Sequence, residues 1–353
     1  MRYYIRSIKA IDFHAGNKAR NDCEIIYKEL KLKEIKLKNI NFNKKICFVK
    51  FRKFLSILLN ITLYIKIYKE LKEKDIIFYQ FPFDNICEKL IIKIAKIKKV
   101  KTIPIVHDLD GIREKSLKKF RKEKKDLEKS SQIISHNKEM TKILKTNYKF
   151  YGKIKELFIF DYLINEKNNK EKKIDVPLRR VCYAGNLDYN KSSFIYKLNE
   201  LKDINFNVYG INYQEEKNKN SFQYCGAFHP DIIHTKLQGD FGLIWDGNSL
   251  KNCEGMCGEY LKYNNPHKFS LYIAAGLPVI TWDKAAISSY IIENKLGVVI
   301  SSLNELKGIL DNLSKEDYEV MKSNVIKLRE KIINGEVLKR LLVEIIEEEE
   351  NEK

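Results

Sequence analysis

Residues suited to binding an anion surround the start of a predicted helix in the second half of the chain. Asn265 suits the N-cap of this helix, and Pro266 suits its first position. Gly276 follows the last predicted helical residue, where glycine often ends a helix, and an apolar run after it begins a strand. Because the first N–H groups of a helix have no partner inside it, this N-terminus predicts an anion site that includes Asn265.

Three basic or imidazole side chains extend this prediction. Lys268 brings a positive charge to a helix end where lysine is normally unfavourable, and a bound phosphate would compensate for that placement; the alternative is a solvated lysine. His267 is a second candidate for the same anion, and its alternative is a core or surface histidine. Lys191 follows a glycine-containing loop and is placed to reach the anion from the opposite side, unless it is solvated.

Aspartates suited to proton transfer follow a strong predicted strand in the first half. His107, Asp108 and Asp110 come directly after the strand-like run VKTIPIV, so they lie at the carboxyl edge of the predicted sheet. A carboxylate at that edge can accept the proton of a hydroxyl nucleophile, which makes Asp108 or Asp110 a candidate general base. The alternative is a turn or helix cap before Gly111.

Four predicted strands in the second half end at glycine-containing loops. Their glycines are Gly185, Gly210, Gly226 and Gly247. Glycine permits a tight turn and a close approach of the backbone to a ligand, although any single one can be an ordinary turn residue. Four at one sheet edge favour a ligand-binding rim, to which Gly185, Asn186 and Gly210 contribute.

Two loops of the first half are predicted at the same edge. The aromatic run Phe78–Phe83 ends a strand and places Phe81 and Pro82 in the wall of a substrate site, unless the rings belong to the core. The segment Asp12–Asn17 follows the first strand, and its Gly16 and Asn17 are candidates for the same substrate.

These loops need a scaffold in which all strand ends meet, and the hydrophobic pattern predicts one. Strands are predicted over 2–8, 45–51, 75–80, 100–106, 132–135, 154–159, 180–184, 206–209, 222–225, 241–245, 278–282 and 298–300. Between them lie predicted helices, which include 54–72, 85–97, 117–129, 138–147, 193–201, 267–275 and 286–293. This alternation is typical of βαβ units, so we predict an α/β fold with two Rossmann-like domains and a cleft between them.

A polar segment separates the two series. Residues Asn165–Asp175 contain one apolar residue among eleven and form the best linker candidate. We therefore place a first domain over 1–165, a second over 176–335, and a helix with an acidic tail over 336–353. That helix is amphipathic over Val337–Ile346, which allows packing across domains or in a homo-oligomer.

The formal charge of +19 is unevenly distributed. Residues 1–170 carry 42 Lys and Arg against 20 Asp and Glu, whereas residues 171–353 carry 24 against 27. Because coding bias acts on both halves alike, the two halves are expected to face different partners. An apolar content of 44% excludes disorder for most of the chain.

Several other classes of protein are disfavoured by missing patterns. The seven cysteines are scattered, with one C-x3-C spacing and no second pair, which predicts reduced thiols rather than zinc. The N-terminus has no export signal and the apolar run Phe54–Ile67 is too short to span a membrane, so we expect a cytoplasmic protein. No P-loop or GxGxxG motif is present, so dinucleotide chemistry has little support.

The layout resembles the GT-B glycosyltransferases, which have two facing Rossmann-like domains and a nucleotide-sugar donor in the second. More narrowly, several strings are similar to bacterial β-1,6-galactofuranosyltransferases of O-antigen synthesis and to the glucosyltransferases that extend O-linked GlcNAc on serine-rich adhesins. These strings are Phe81-Pro82, His107-Asp108, Tyr183–Leu187, Tyr209-Gly210, Phe241–Gly247 and Tyr263–Lys268. The resemblance covers nearly the whole chain, from the first predicted strand to about residue 300.

The resemblance implies a UDP-sugar donor and inversion at the anomeric carbon, without a cofactor or metal. The implied donor contacts are Gly185, Asn186, Lys191, Tyr209, Gly210, Asn265, His267 and Lys268, with the two lysines on the diphosphate and Tyr209-Gly210 beside the uracil. The implied acceptor contacts are Gly16, Asn17, Phe81 and Pro82, with Asp108 or Asp110 as the base and His107 beside them. Retaining members of the fold use a Glu-x7-Glu pair, and Glu254 and Glu259 do not have that spacing.

We therefore expect transfer of galactofuranose, glucose or galactose from a UDP-sugar to a glycan, lipid-linked or protein acceptor. One alternative is an epimerase or sugar hydrolase on the same fold. A second is a basic nucleic-acid-binding protein, although no aromatic RNP motif or helix-turn-helix is present. The basic first domain, with Lys115–Lys129 as the strongest segment, is expected to contact an anionic membrane surface, unless this helix is simply solvated.

Overall fold

The computed structural model describes residues 1–6, 15–38, 49–164 and 178–351, without the side chains of residues 15, 16, 49 and 50. The predicted linker Asn165–Asp175 lies outside this range. So do residues 12–14 of the predicted Asp12–Asn17 loop and residues 45–48 of the second predicted strand.

The described residues form two six-stranded parallel sheets. The strands are β1 Arg2–Ile5, β2 Lys33–Ile35, β3 Ile76–Phe81, β4 Lys101–Val106, β5 Gln132–Ser135, β6 Lys153–Glu156, β7 Arg180–Asn186, β8 Asn205–Ile211, β9 Gln223–Tyr224, β10 Phe241–Ile244, β11 Val279–Trp282 and β12 Gly297–Ile300. Their orders are β2-β1-β3-β4-β5-β6 and β12-β11-β10-β7-β8-β9. The predicted α/β class, with a Rossmann-like sheet in each half, is confirmed.

Helices connect the strands, as parallel pairing requires. They are α1 Ala15–Glu29, α2 Val49–Leu59, α3 Ile61–Glu70, α4 Ile86–Ile97, α5 Asp110–Arg113, α6 Leu117–Leu127, α7 Lys138–Thr146, α8 Tyr189–Ser192, α9 Ile233–Lys236, α10 Gly255–Tyr260, α11 His267–Ala274, α12 Ser288–Glu293, α13 Leu306–Asn312, α14 Lys315–Ile333 and α15 Glu336–Asn351. Three further segments, Ser193–Glu200, Glu215–Lys217 and Leu303–Glu305, are 3-10 helices.

The chain divides into two compact units. The N-terminal unit contains Met1–Ile11, Cys23–His136 and Thr141–Glu156, and the C-terminal unit contains Asp12–Asp22, Asn137–Met140 and Leu157–Lys353. The first half of α1 and the start of α7 therefore belong with the second unit.

The centre of the first sheet is apolar on both faces. Every residue of β3 (IIFYQF) is buried, as are five of the six in β4 (KTIPIV), which is the continuous pattern expected of a covered parallel sheet. Phe81 pairs with Val106 at the carboxyl end, and the His107 N–H donates to the Phe81 carbonyl at 2.7 Å. The loops that follow β3 and β4 therefore leave the sheet side by side.

In the second sheet, the side chain of Tyr272 links helix α11 to both β10 and β7. The Tyr272 hydroxyl donates to the Leu243 carbonyl at 3.1 Å and accepts from the Ala184 N–H at 2.9 Å. Gly242 makes room for this ring, because a Cβ there would lie 2.2 Å from it. Gly276, with φ of 71°, ends the helix as predicted.

The prediction of one helix over 54–72 was wrong. The structure has α2 and α3 instead, separated by the buried Asn60. The Asn60 side chain accepts from the Lys38 N–H at 2.8 Å and donates to the Lys38 and Ser56 carbonyls at 3.0 and 2.8 Å. An asparagine that bonds to backbone in this way competes with the helical hydrogen bonds.

Two other predicted elements also differ, and one strand was missed. Residues 49–51, predicted as the end of a strand, begin α2, and the predicted helix over 193–201 is a 3-10 helix. The short strand Lys33–Ile35 was not predicted, because its two charged residues mask the β pattern and its pairing with β1 is a tertiary contact.

Candidate active site

The Lys268 ammonium is held by a side chain of β7 and by two residues that follow β10. Its Nζ lies 2.7 Å from Asp246 Oδ1, 3.0 Å from Tyr183 Oη and 3.3 Å from the Trp245 carbonyl. The ammonium also lies 4.5 Å from the centre of the Tyr183 ring. The structure thus places the lysine at the start of α11 beside the carboxyl ends of β7 and β10, with its charge compensated by one carboxylate.

Tyr183 connects this lysine to its carboxylate. The Tyr183 hydroxyl accepts from Lys268 and lies 3.2 Å from Asp246 Oδ1, to which it donates. Burial, with the nearby Asp246 carboxylate, raises the pKa of Tyr183 well above its ordinary value, so the phenol stays neutral. Neither residue was predicted to have a role, although Asp246 lies two positions after the end of β10, at the same kind of strand end as the predicted loops.

Glycines leave the space that this arrangement needs. A Cβ on Gly185 would lie 3.1 Å from Lys268 Cε and 3.1 Å from Tyr183 Oη. Gly210 pairs with Gly185 across β7 and β8, has φ of 147°, and would bring a Cβ within 1.8 Å of the Gly185 carbonyl oxygen. A side chain at either position would disturb the ends of both strands.

We predict that Gly210→Ala lowers the free energy of unfolding by about 2 kcal/mol or more, because alanine disfavours this φ and its methyl group collides with backbone. Urea denaturation measures the change. The matched control is Gly308→Ala in α13, where a Cβ has no neighbour within 4 Å, and helix propensity should stabilise the protein by about 0.5–1 kcal/mol. Equal effects of the two substitutions would contradict the steric argument.

The predicted N-cap role of Asn265 was wrong. Helix α11 begins at His267 with Pro266 as its N-cap residue. Asn265 is buried instead, where its side chain donates to the Phe158 carbonyl at 2.6 Å and accepts from Asn137 Nδ2 at 2.6 Å. These tertiary partners engage the amide that would otherwise have capped the helix.

The His267 side chain lies among aromatic rings. Its ring centre is 5.4 Å from that of Tyr162 and 6.2 Å from that of Phe160, and both ring nitrogens are shielded from solvent without a hydrogen-bond partner among the described residues. Burial lowers the pKa of His267 to about 3, so the imidazole is neutral. This environment matches the alternative of a core histidine, and only the backbone of His267 remains at the helix N-terminus.

Two histidines whose ring nitrogens are shielded from solvent predict a loss of stability in acid. His267 and His234, with pKa values lowered by burial to about 3 and about 4, stay neutral in the folded state, whereas in the unfolded chain they charge near pH 6.5. Their contribution is therefore present above pH 6.5 and is lost as the pH falls toward 4, at up to about 1.4 kcal/mol per pH unit for His267 and less for the partly exposed His234.

Measuring the free energy of unfolding of wild type and of His267→Phe from pH 7 to pH 4 tests this prediction. As the pH falls, wild type should lose more of this free energy than the variant does. Asp22 and Asp161, whose pKa values burial raises to about 7, act in the opposite direction but are present in both proteins. A stability difference between the two proteins that does not change with pH would contradict the prediction.

The other residues predicted to bind the donor have different environments. Tyr209 is buried, and its hydroxyl accepts from the Gln238 N–H at 3.0 Å, so its ring is part of the core. The Asn186 side chain accepts from the Asp188 N–H at 3.0 Å and stabilises the turn after β7. Lys191 is exposed on α8, directly after that turn.

In the N-terminal unit, one arginine joins both candidate bases. Arg113 Nη1 lies 2.8 Å from Asp108 Oδ2, and Arg113 Nη2 lies 2.5 Å from Asp110 Oδ1. His107 Nε2 is 2.8 Å from Gln80 Oε1, which orients its ring at the end of β4. The structure therefore brings the three predicted residues into one partly exposed loop, with Asp110 as the first residue of the short helix α5.

A buried glutamate on α6 holds the backbone of this loop in place. Glu123 on α6 accepts from the Gly111 N–H at 3.0 Å and from the Tyr148 hydroxyl at 2.7 Å. Burial raises the pKa of Glu123 above its ordinary value. Gly111 packs so closely on α6 that a Cβ would lie 2.5 Å from the Phe120 backbone. The position of the aspartates therefore depends on α6 as well as on β4.

The predicted acceptor residues have mixed outcomes. Phe81 is buried in the core beside the ring of Phe83, which agrees with the core alternative, whereas Pro82 is half-buried after a cis peptide bond. Gly16 and Asn17 were predicted in a loop, but α1 already includes both of them. Helix geometry thus replaces the expected open turn at these two residues.

One cavity of about 530 Å³ lies in the C-terminal unit. Its lining includes Phe158, Tyr263, Asn265, Asp283 and Tyr290. Of the residues predicted for the donor, only Asn265 borders it, so this cavity does not define the Lys268 arrangement. Within the described ranges, no group of three or more His, Cys, Asp or Glu side chains is arranged to hold a metal ion.

Comparison with known proteins agrees with this architecture. Residues 2–148 match the family model described as glucosyltransferase 3-like, N-terminal domain, and residues 181–345 match the glucosyltransferase 3-like, C-terminal domain. The β-1,6-galactofuranosyltransferase WbbI of Escherichia coli (strain K12) is 36% identical over 282 residues, which cover 79% of this chain and 81% of that protein.

Solved structures show the same fold at low identity. The sucrose-phosphate synthase of Thermosynechococcus elongatus has a TM-score of 0.62 and 10% identity, with 100% of this chain and 99% of that chain covered. Anabaena HepE, solved in complex with UDP and glucose, has a TM-score of 0.58 and 10% identity, with 99% and 100% covered. The resemblance drawn from the sequence is confirmed, and the chain belongs to the glucosyltransferase 3-like family of GT-B glycosyltransferases.

Proposed function

We propose that this glycosyltransferase moves a hexose from a UDP-sugar to a glycan, lipid-linked or protein acceptor, with inversion and without a metal, in the synthesis of surface polysaccharide or adhesin glycans. The observation that carries the proposal is the Lys268 ammonium, positioned by Asp246 and Tyr183 at the start of α11. Residues 1–165 would bind the acceptor and residues 176–335 the donor.

In this reaction an acceptor hydroxyl attacks the anomeric carbon while the bond from that carbon to the diphosphate oxygen breaks and UDP leaves. Lys268, the N–H groups at the start of α11 and Lys191 would stabilise the negative charge on the departing diphosphate. Asp108 or Asp110 would take the hydroxyl proton. The backbone at Gly210 is the remaining candidate for the uracil, since the Tyr209 ring is buried.

Galactofuranose is the preferred sugar of this proposal. It is the sugar in the name of WbbI, which is 36% identical. Glucose is the first alternative, because the matching family models are named for a glucosyltransferase.

A panel of UDP-galactofuranose, UDP-glucose and UDP-galactose, each with and without a glycoside acceptor, tests the proposal. We expect UDP release that requires the acceptor, persists in EDTA and yields a β-linked product from an α-linked donor. UDP alone should raise the melting temperature. Release of sugar without an acceptor would favour a hydrolase, and an isomerised UDP-sugar would favour an epimerase.

A further inference from the structure

Helices α2 and α3 of the N-terminal unit expose an apolar face that the proposed reaction does not use. Three residues on each helix recur at intervals of three or four positions, so they lie on one side of that helix. They are Phe51, Phe54 and Leu58 on α2, and Ile61, Ile65 and Tyr68 on α3. Their side chains are 44% to 56% exposed. We call these six residues the α2–α3 apolar face.

This exposure is unusual for such a pattern. A helix of a globular protein normally turns its apolar stripe toward the core, yet Ile67 is the one buried residue of α3. Six large apolar side chains on adjoining helices form the kind of patch that marks an interaction surface rather than scattered exposed residues.

The charges around the face indicate the chemistry of its partner. Residues 49–69 contain Lys50, Arg52, Lys53, Lys66 and Lys69 and no Asp or Glu. The nearest acidic residue along the chain, Glu70, forms ion pairs with Lys33 at 2.9 Å and with Lys66 at 3.8 Å. Apolar side chains flanked by an excess of basic ones are typical of helices that lie in the interface of an anionic bilayer.

The same charges disfavour a second copy of the chain as the partner. A two-fold symmetric contact through this face would bring the basic residues of both copies together, and like charges across an interface weaken association. Among the described helices none is long and apolar enough to cross a membrane, so contact through this face would be peripheral.

We propose that the α2–α3 apolar face docks on an anionic phospholipid surface, with its aromatic and aliphatic side chains in the interfacial layer and its lysine and arginine side chains at the lipid phosphates. This goes beyond the proposed transfer reaction and does not depend on the identity of the donor. It also moves the expected membrane contact from α6 to α2–α3, because α6 combines its basic residues with a single large exposed apolar side chain, Leu117.

Vesicle co-sedimentation of the full chain tests the proposal. One set of vesicles contains phosphatidylcholine alone, and in the other set about one lipid in three is phosphatidylglycerol. The apolar variant is Phe54→Ser with Ile65→Ser, the charge variant is Lys53→Gln with Lys66→Gln, and the control on α6 is Lys122→Gln with Lys125→Gln. All six substituted side chains are exposed, so the fold should tolerate these changes.

We expect wild type to bind the anionic vesicles at least about tenfold more tightly than the neutral ones. The apolar variant should lose at least about tenfold of that binding, since each lost side chain removes interfacial burial. The charge variant should bind more weakly and lose most of its salt dependence, and the α6 control should stay within about threefold of wild type.

Two results would overturn the proposal. One is wild-type binding that is absent or ignores the anionic lipid, or an apolar variant that binds as wild type does. The other is a wild-type dimer in sedimentation velocity that the apolar variant converts to a monomer, which would make the face a subunit contact. The shift in melting temperature with UDP is measured on every variant. Because this shift depends on donor binding and not on lipid, it shows whether the donor assignment fails independently of the membrane contact.

Discussion

Lys268→Ala is expected to weaken UDP binding by about ten- to hundredfold and to lower the rate of sugar transfer further. A charge-assisted hydrogen bond to phosphate contributes about 1.5–3 kcal/mol, and the substitution removes it. The substitution also leaves the Asp246 carboxylate, which is 13% exposed, without its 2.7 Å partner, so a negative charge would face the incoming diphosphate. Calorimetric titration with UDP measures the first effect directly.

Two controls sharpen this test. Lys307→Ala removes an exposed lysine of the same unit, paired with Asp311 at 2.7 Å, and should leave UDP binding unchanged. Adding Asp246→Asn to Lys268→Ala should recover part of the lost affinity, because the repelling charge is gone. If the single variant is folded and binds UDP as tightly as wild type, Lys268 does not contact the diphosphate.

The second large effect is expected at the aspartates beside Arg113. Asp108→Asn or Asp110→Asn should lower kcat for transfer by about 100- to 10,000-fold while the Kd for UDP stays the same, because an amide cannot take the acceptor proton. Asparagine keeps an oxygen that can accept from Arg113, so the loop should hold its conformation. Initial rates with saturating donor measure the loss.

The matched control for this prediction is Glu114→Gln. Glu114 also lies near Arg113, 3.9 Å from its Nη2, but no catalytic role is predicted for it, so transfer should remain close to wild type. Full transfer activity in both asparagine variants would make the base assignment wrong. Equal losses in all three variants would instead indicate that the loop needs its negative charge rather than a base.

Much of the fold was predictable because parallel sheets leave a strong local signal. Strands β3 and β4 are buried on both faces, so they appear in the sequence as continuous apolar runs between helical periods. The turn after α11 was equally clear, since Gly276 adopts the φ that glycine tolerates best. The break at Asn60 was not predictable, because the partner of its side chain is the distant backbone of Lys38.

The candidate site, too, was predictable only in part. Local spacing was enough to place Lys268 in the first turn of a helix and Asp108 at the end of a strand. It did not show that Asn265 is engaged by Phe158 and Asn137, or that the His267 ring enters an aromatic cluster. These contacts join residues more than 100 positions apart, and one amino-acid sequence records no such pairing.

By itself, then, the amino-acid sequence determined the alternation of strands and helices, the residues at the strand ends and the resemblance to the family, since all three are patterns along the chain. Only the tertiary structure decided which of those residues meet. Asp246 and Tyr183 became partners of Lys268 because β10, β7 and α11 pack together around Tyr272 and Gly242. Likewise, the apolar pattern of α2 and α3 is local, but its exposure follows from how the described residues of the N-terminal unit pack.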